Sequence, residues 1–253
     1  MFNWPVVPVC SRQRRDVREE DLLEGGLYRK CDSHRAGGGY DPLPRLAGKR
    51  LGKMVGQLQF VVQLRGCPLR CPYCYVTPQG IWGNAEYRSS AEIISAYKAG
   101  HYRIFHLMGG APALYLEHWP ELIQEICGDE VFHSDLLLIE RPYKESWLKD
   151  IFTANTLYAI NIKGTSDEEL CMNTQVIWSR PLVELFWDNL DKIIYSGRAS
   201  QCYLTFTNCQ PDGVLDFLCK LNQRYPRGLV ESLLEDYVFI PLKQYNALKE
   251  WWE

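Results

Sequence analysis

From residue 57 onward the chain alternates short apolar segments with amphipathic ones, and this alternation restricts its fold more than any other feature. QLQFVVQL (57–64), YRIFHLM (102–108), DLLLIE (135–140), TLYAINI (156–162), QCYLTFT (201–207) and DYVFIPL (236–242) read as six strands. Between them, SSAEIISAYKAG (89–100), LEHWPELIQEIC (116–127), YKESWLKDIFTA (143–154), DEELCMNTQVIW (167–178), PLVELFWDNLDKIIYSG (181–197) and DGVLDFLCKLNQRY (212–225) read as helices. QYNALKEWWE (244–253) reads as a last one. Strands separated by helices make βαβ units and so a parallel sheet. The strands read as apolar on both faces, as strands buried in a parallel sheet are. Periodicity leaves two α/β architectures open: an open doubly wound sheet and a curved, partial (β/α) barrel.

Residues 1–55 read differently. RQRRDVREEDLLEG is charge-mixed with helical character, and SHRAGGGYDPLPR, with three consecutive glycines, is loop-like. The segment carries a charge of +4 and the remainder −7, giving −3 over 253 residues. That balance gives no reason to expect nucleic acid as a partner. We therefore divide the chain into an N-terminal extension (1–55), expected to act as a lid or as a substrate or partner contact, and a core domain (56–253). No secretory signal and no stretch of about 18 apolar residues is visible, so the expectation is a cytoplasmic chain with no membrane partner. Its ten cysteines are then expected to be reduced.

Three of those cysteines lie together in RGCPLRCPYCYV (65–76), directly after the first predicted strand: Cys67, Cys71 and Cys74 at C-x3-C-x2-C spacing. In barrel-like βα folds, loops at the C-terminal ends of strands build the active site. A tetrahedral zinc site needs four ligands. Three thiolates on a four-iron cluster leave one iron open, whereas a closed cluster takes four. The competing reading is a structural zinc knuckle around CPYC, completed by ligands from elsewhere.

The C-x3-C-x2-C loop after the first strand of a six-fold βα pattern, with aromatic Tyr73 before the third cysteine, resembles the radical S-adenosylmethionine (radical SAM) superfamily. The resemblance implies a partial (β/α)6 TIM-like barrel. It also implies an oxygen-sensitive [4Fe–4S] cluster on Cys67, Cys71 and Cys74, whose open iron would chelate the amino and carboxylate groups of SAM. Reductive cleavage of SAM would give a 5′-deoxyadenosyl radical that takes hydrogen from substrate. The electron would come from a reductase or a ferredoxin-type donor.

Other positions follow the family pattern less closely. After the second strand, Gly109-Gly110-Ala111-Pro112 stands where a G-G-E-P stretch contacts the SAM amino group, with Ala111 replacing the carboxylate. Two glycines let backbone carbonyls approach an ammonium. YAINIKGT resembles the D-x-K strand ending of the activating-enzyme branch, with Asn161 for Asp and Lys163 retained. Lys163 would meet the SAM carboxylate and Asn161 a ribose hydroxyl. Thr205 or Thr207, ending the fifth strand, would reach ribose or carboxylate. Phe239 lies in VFIPL, where the family makes apolar backbone contact with adenine. For each of these an ordinary strand-end turn or polar cap is the competing reading. Cys209 reads as a packed thiol near the site. Cys127 and Cys219 fall in apolar helix patterns and read as core. Cys10 and Cys31 form no short metal spacing. His106 reads as a core or inward-facing residue, and Arg141 and Tyr143 as residues at the open end, within reach of substrate.

The sequence reading is thus a radical SAM enzyme acting on a polypeptide or a small heterocycle, akin to the activating-enzyme or 7-carboxy-7-deazaguanine-synthase branches. The alternative is a non-catalytic iron–sulfur protein that carries electrons or clusters.

Overall fold

The computed structural model describes residues 2–8, 22–24, 27–32, 43–53, 58–74, 76, 78–126 and 128–240. Cys10, Cys127, most of the charge-mixed and glycine-rich N-terminal stretches and the expected helix at 244–253 lie outside them. The chain forms two compact units. The first comprises Met1–Cys67, Tyr75–Asp135 and Lys149–Leu157; the second comprises Pro68–Cys74, Leu136–Leu148 and Tyr158–Glu253.

The strands of the first unit are β1 (Asn3–Val6), β2 (Leu22–Leu23), β3 (Tyr28–Asp32), β4 (Leu58–Leu64), β5 (Glu86–Ser89), β6 (Ile104–Gly109) and β7 (Val131–Leu136). Its helices are α1 (Leu43–Leu51), α2 (Pro78–Trp82), α3 (Ser90–Lys98) and α4 (Pro120–Ile123). β4, β6 and β7 are parallel, in that order. Their register sets Phe60 beside Phe105 and Phe105 beside Phe132, a phenylalanine ladder on one face, with Phe105 and Phe132 stacked at 5.6 Å. Tyr28, Tyr97 and Tyr102 pack on Phe60. Each such buried ring contributes roughly 1.5–3 kcal/mol.

The opposite face is not apolar, contrary to the sequence reading. Gln59, Gln63 and His133 are buried there, and the His106 ring sits edge-on to His133 at 4.5 Å. His106 Nδ1 pairs with Gln59 Oε1 at 2.9 Å. The alternation was masked because these residues stand singly between large aliphatics.

The N-terminal extension is also not irregular where it is described. β1 pairs antiparallel with both β4 and β5, and β3 pairs antiparallel along β4. Trp4, Val6 and Val7 are fully buried. Trp4 Nε1 donates to Ser90 Oγ at 2.9 Å, and the Glu121 carboxylate accepts from the Phe2 amide and from Ser90 Oγ. In α1, Leu43, Leu46 and Ala47 are buried. No compact unit ends at residue 55. The segment escaped a period-two reading because β1 is four residues long and contains Pro5.

The second unit carries β8 (Thr156–Ile162), β9 (Cys202–Thr207) and β10 (Tyr237–Ile240), with helices α6 (Asp167–Thr174), α7 (Arg180–Tyr195), α8 (Pro211–Arg224) and α9 (Arg227–Glu235). α5 (Glu145–Ile151) runs from one unit into the other along the chain. β8, β9 and β10 are parallel in that order, with Asn161 beside Thr205 and Phe206 beside Phe239. β8 has the bounds read from sequence.

Three elements differ from that reading. The third core strand is Val131–Leu136, not 135–140, and Leu138 takes a left-handed φ of 64°. Residues 137–139 are apolar because Leu137, Leu138 and Ile139 are buried in a bend. That bend is tied by Leu137 N donating to Glu140 Oε1 at 2.7 Å and by Asn189 Nδ2 donating to the Leu138 and Arg141 carbonyls. The expected helix at 116–127 splits into a 3-10 stretch, Pro112–His118, and α4, because Pro120 lacks the amide needed to continue. α9 was missed because Pro226 separates a short amphipathic run from α8. No described helix is long and apolar enough to cross a membrane.

Candidate functional site

The cysteine loop leaves β4 through a fixed base. Arg65 N donates to the Pro5 carbonyl at 3.0 Å and Gly66 N to the Ile81 carbonyl at 2.7 Å, while Tyr115 Oη donates to the Arg65 carbonyl at 2.9 Å. Gly66 holds φ 97°, a left-handed value that glycine adopts at no steric cost. Its carbonyl accepts from Ala111 N at 2.6 Å, and Gly110 N donates to the Leu64 carbonyl at 3.0 Å. The GGAP turn is therefore stitched to the start of the cysteine loop. A Cβ on Gly110 would fall 1.8 Å from Gly66 O, and one on Gly109, at φ 105°, would fall 2.6 Å from Leu64 N. Pro112 is buried, and its carbonyl accepts from Trp119 Nε1 at 3.3 Å. The two glycines thus have a packing reason to be glycine, whatever ligand their carbonyls meet.

Further along the loop, within the second unit, Arg70 N donates to the Thr174 carbonyl at 2.9 Å and Cys74 N to the Cys71 carbonyl at 3.0 Å. Lys163 Nζ lies 5.8 Å from the centre of the Tyr73 ring and donates to Thr207 Oγ1 at 3.4 Å. Thr205 Oγ1 is hydrogen-bonded to Asn161 Oδ1 across the β8–β9 register. Tyr73, Asn161, Lys163, Thr205 and Thr207, five residues singled out from sequence, are therefore gathered in one unit. Burial raises the Cys71 thiol, while the Lys163 ammonium pulls it back toward thiolate. The Tyr73 hydroxyl is buried with no hydrogen-bond partner.

Two positioning residues went unread in the sequence. Asn173 Nδ2 donates to the Lys163 carbonyl at 2.8 Å and to the Asn208 carbonyl at 3.3 Å. Glu169, buried, accepts from Thr165 N, Thr165 Oγ1 and Gln210 N at 2.6–2.8 Å. Together they lock the strand end that presents Lys163. Their signal in sequence, polar residues four apart on α6, resembled ordinary solvent-facing side chains.

Other expectations fare unevenly. The Phe239 ring shares the face of Phe206, with centroids 6.0 Å apart, so its side chain stands away from the Thr205–Thr207 face. Tyr143 is buried and donates to Glu140 Oε2 at 2.9 Å, so it is a tie within the bend and not an open-end contact. Arg141 lies over the Trp147 ring at 4.5 Å. Cys209 is buried, which pushes its thiol up to about 12. Cys219 is exposed, contrary to its reading as core, because it falls on the solvent side of α8.

Cys67, Cys71 and Cys74 form no disulfide and are each half-buried. Among the described residues no three His, Cys, Asp or Glu side chains are gathered in a group ready to hold a metal ion. The donor set still fits an iron–sulfur cluster in its chemistry. It offers three soft thiols, one beside a cation, on a stretch that is neither helix nor strand.

An α/β chain with a three-thiol loop after a parallel strand falls in the class of cluster-dependent enzymes built on βα repeats. The profile of the Radical SAM superfamily matches residues 61–206, more than half of the chain, and the chain belongs to that superfamily. It is a radical SAM enzyme. A solved structure of TYW1 with a lysine-pyruvate adduct bound is similar in fold: TM-score 0.51 and 13% identity over 82% of this chain and 74% of that one. That likeness bears out the TIM-like partial-barrel fold class. No curated protein matches the chain in sequence.

Proposed function

We propose that the chain holds a [4Fe–4S] cluster through Cys67, Cys71 and Cys74 and uses it to cleave SAM reductively. The observation that carries this reading is the hydrogen-bonded base of the three-cysteine loop, with the Gly66 carbonyl pinned by Ala111 N directly beside the GGAP turn. When bound and reduced by a reductase or ferredoxin-type donor, the cluster supplies the electron that splits SAM into methionine and a 5′-deoxyadenosyl radical, which abstracts hydrogen from substrate.

The protein's own residues bind and orient. The Gly109 and Gly110 carbonyls accept from the SAM ammonium, a contact open to them because neither carries a side chain. Lys163 meets the SAM carboxylate by a charge-assisted hydrogen bond. Thr207 and the Tyr73 ring restrain the Lys163 side chain, while Asn173 fixes its backbone. Asn161, oriented by Thr205, serves a ribose hydroxyl. Pro112 sets the turn that aims the glycines, and the backbone around Phe239 serves adenine. The Lys163 ammonium works against the burial that raises the Cys71 thiol and so favours the thiolate that a cluster requires.

The substrate is a polypeptide or a small heterocycle. The test is anaerobic reconstitution with iron and sulfide, reduction, and addition of SAM. Equal amounts of 5′-deoxyadenosine and methionine are expected; a protein that binds four irons yet leaves SAM intact would instead be an electron or cluster carrier.

A further inference from the structure

We infer that two copies of the chain join through β5, edge to edge and antiparallel, about a two-fold axis at Tyr87; the inference stands apart from the radical SAM reading. Among the described residues β5 is the last strand on its side of the sheet and pairs with β1 alone.

The hydrogen bonds of β1 fix which backbone groups of β5 turn outward. Val6 stands opposite Leu64, with Val7 N donating to the Gln63 carbonyl at 2.9 Å and Arg65 N to the Pro5 carbonyl at 3.0 Å. Pro5 and Val7 therefore turn their backbone groups toward β4, while Trp4 and Val6 turn theirs toward β5. Trp4 faces Arg88 and Val6 faces Glu86, so Arg88 and Glu86 point their N–H and C=O groups at β1. Tyr87, between them, points both of its groups away from the sheet, and the residue is 65% exposed. Ser89 also turns outward, but its N–H donates to Glu92 Oε2 of its own helix cap at 2.8 Å.

A second copy matches this edge. In an antiparallel pair, two facing residues that both point inward exchange both hydrogen bonds, so Tyr87 satisfies Tyr87 of the second copy. The same register sets Glu86 opposite Arg88 of the second copy, and Arg88 opposite its Glu86. Charges guard a sheet edge when like signs meet across it. Here opposite signs stand two residues apart, and the antiparallel register makes both cross-strand pairs attractive. Glu86 and Arg88 already meet within one copy at 2.8 Å, with side chains 56% and 30% exposed, so the second copy extends that pair into a network. The contact is isologous and closes at two chains. It also braces β1, whose Pro5 carbonyl holds Arg65 at the base of the cysteine loop.

The experiment is sedimentation velocity of the full chain, before and after anaerobic cluster reconstitution. It runs from about 1 to 500 µM, because a contact built on one short strand is weaker than the ~800 Å² per partner of a standard interface. A monomer–dimer equilibrium with a Kd of about 10–100 µM is expected. Arg88→Glu and Glu86→Arg each turn both cross-strand pairs into like charges and should weaken self-association about tenfold. Mixed one to one, the two variants face opposite charges again and should associate within about twofold of the parent. Tyr87→Pro removes the outward N–H and the ring, a change that an edge strand tolerates, and should abolish the dimer with an unchanged melting temperature. It leaves both charges in place, and so reads the contact even where a charge variant fails to fold. A parent that stays monomeric at about 500 µM, folded charge variants that dimerise as the parent does, a mixture no more associated than its components, or a dimer retained in Tyr87→Pro each overturns the inference.

Discussion

The Gly66 carbonyl oxygen occupies the place where a side chain on Gly110 would begin, since a Cβ there would stand 1.8 Å from it. The turn after the second core strand and the base of the cysteine loop are therefore one packed object. Gly110→Val should push the loop base aside at a cost of about 1–3 kcal/mol and lose iron along with SAM affinity. Iron content after reconstitution and a thermal melt check this. A variant that kept full iron and lost only SAM affinity would make Gly110 a ligand contact with no structural duty toward the loop.

Residues 2–8 are built into the first unit and support the same loop through Pro5 O, and through Val7 N, which donates to the Gln63 carbonyl at 2.9 Å. Trp4→Ala should destabilise the protein by about 3–5 kcal/mol, since it removes a fully buried ring and one of the two hydrogen bonds described for Ser90 Oγ. Deletion of residues 1–8 should abolish a cooperative melt of the first unit. A deletion variant that melted as the parent does and still took up iron would make the segment dispensable.

If Lys163 holds the SAM carboxylate as proposed, Asn173 acts on SAM through the Lys163 backbone. Asn173→Ala removes one donor from the carbonyls of Lys163 and Asn208, and should weaken SAM binding about tenfold while preserving the cluster's visible spectrum. Equilibrium binding of SAM to the reconstituted protein measures it. Loss of both cluster and SAM would mark Asn173 as a general fold residue.

His106 gives the fold an acid sensitivity. Burial, and then the Arg29 charge, push its imidazole down to about 3, and burial likewise depresses its neighbour His133. The folded protein therefore binds these protons less readily than the unfolded chain does. The stability each contributes is whole above the unfolded value near 6.5 and is lost as pH falls below it, at up to ~1.4 kcal/mol per pH unit per group. Urea unfolding at pH 7 and pH 5 should show a steep loss in the parent and a shallower one in His106→Gln. Equal slopes would place the acid sensitivity elsewhere.

What the sequence made legible follows from how local each signal is. Ser89 and Glu92 form the capping box that opens α3, and the start of that helix was read correctly from Ser89. β8 was bounded correctly because TLYAINI is an uninterrupted buried strand. Asn161, Lys163 and Tyr73 were singled out by motif position; the β8–β9 register sets Asn161 beside Thr205, and Lys163 lies by Thr207 and the Tyr73 ring through side-chain contacts. Gly66 was invisible as a determinant because its partner, Gly110, is distant in sequence and the contact is between backbones. The role of β1 was hidden for a related reason. Four residues show no period, and their burial comes from β4 and β5, which lie far along the chain. The run at 135–140 misled because a buried bend needs apolar residues as much as a strand does.

The central claim, that Cys67, Cys71 and Cys74 hold a site-differentiated four-iron cluster, is tested most directly by counting iron in anaerobically reconstituted protein with and without those thiols. The account predicts about four irons per chain in the parent and almost none when all three are replaced by Ala, with the other seven cysteines left in place. A triple variant that still bound four irons per chain would contradict it.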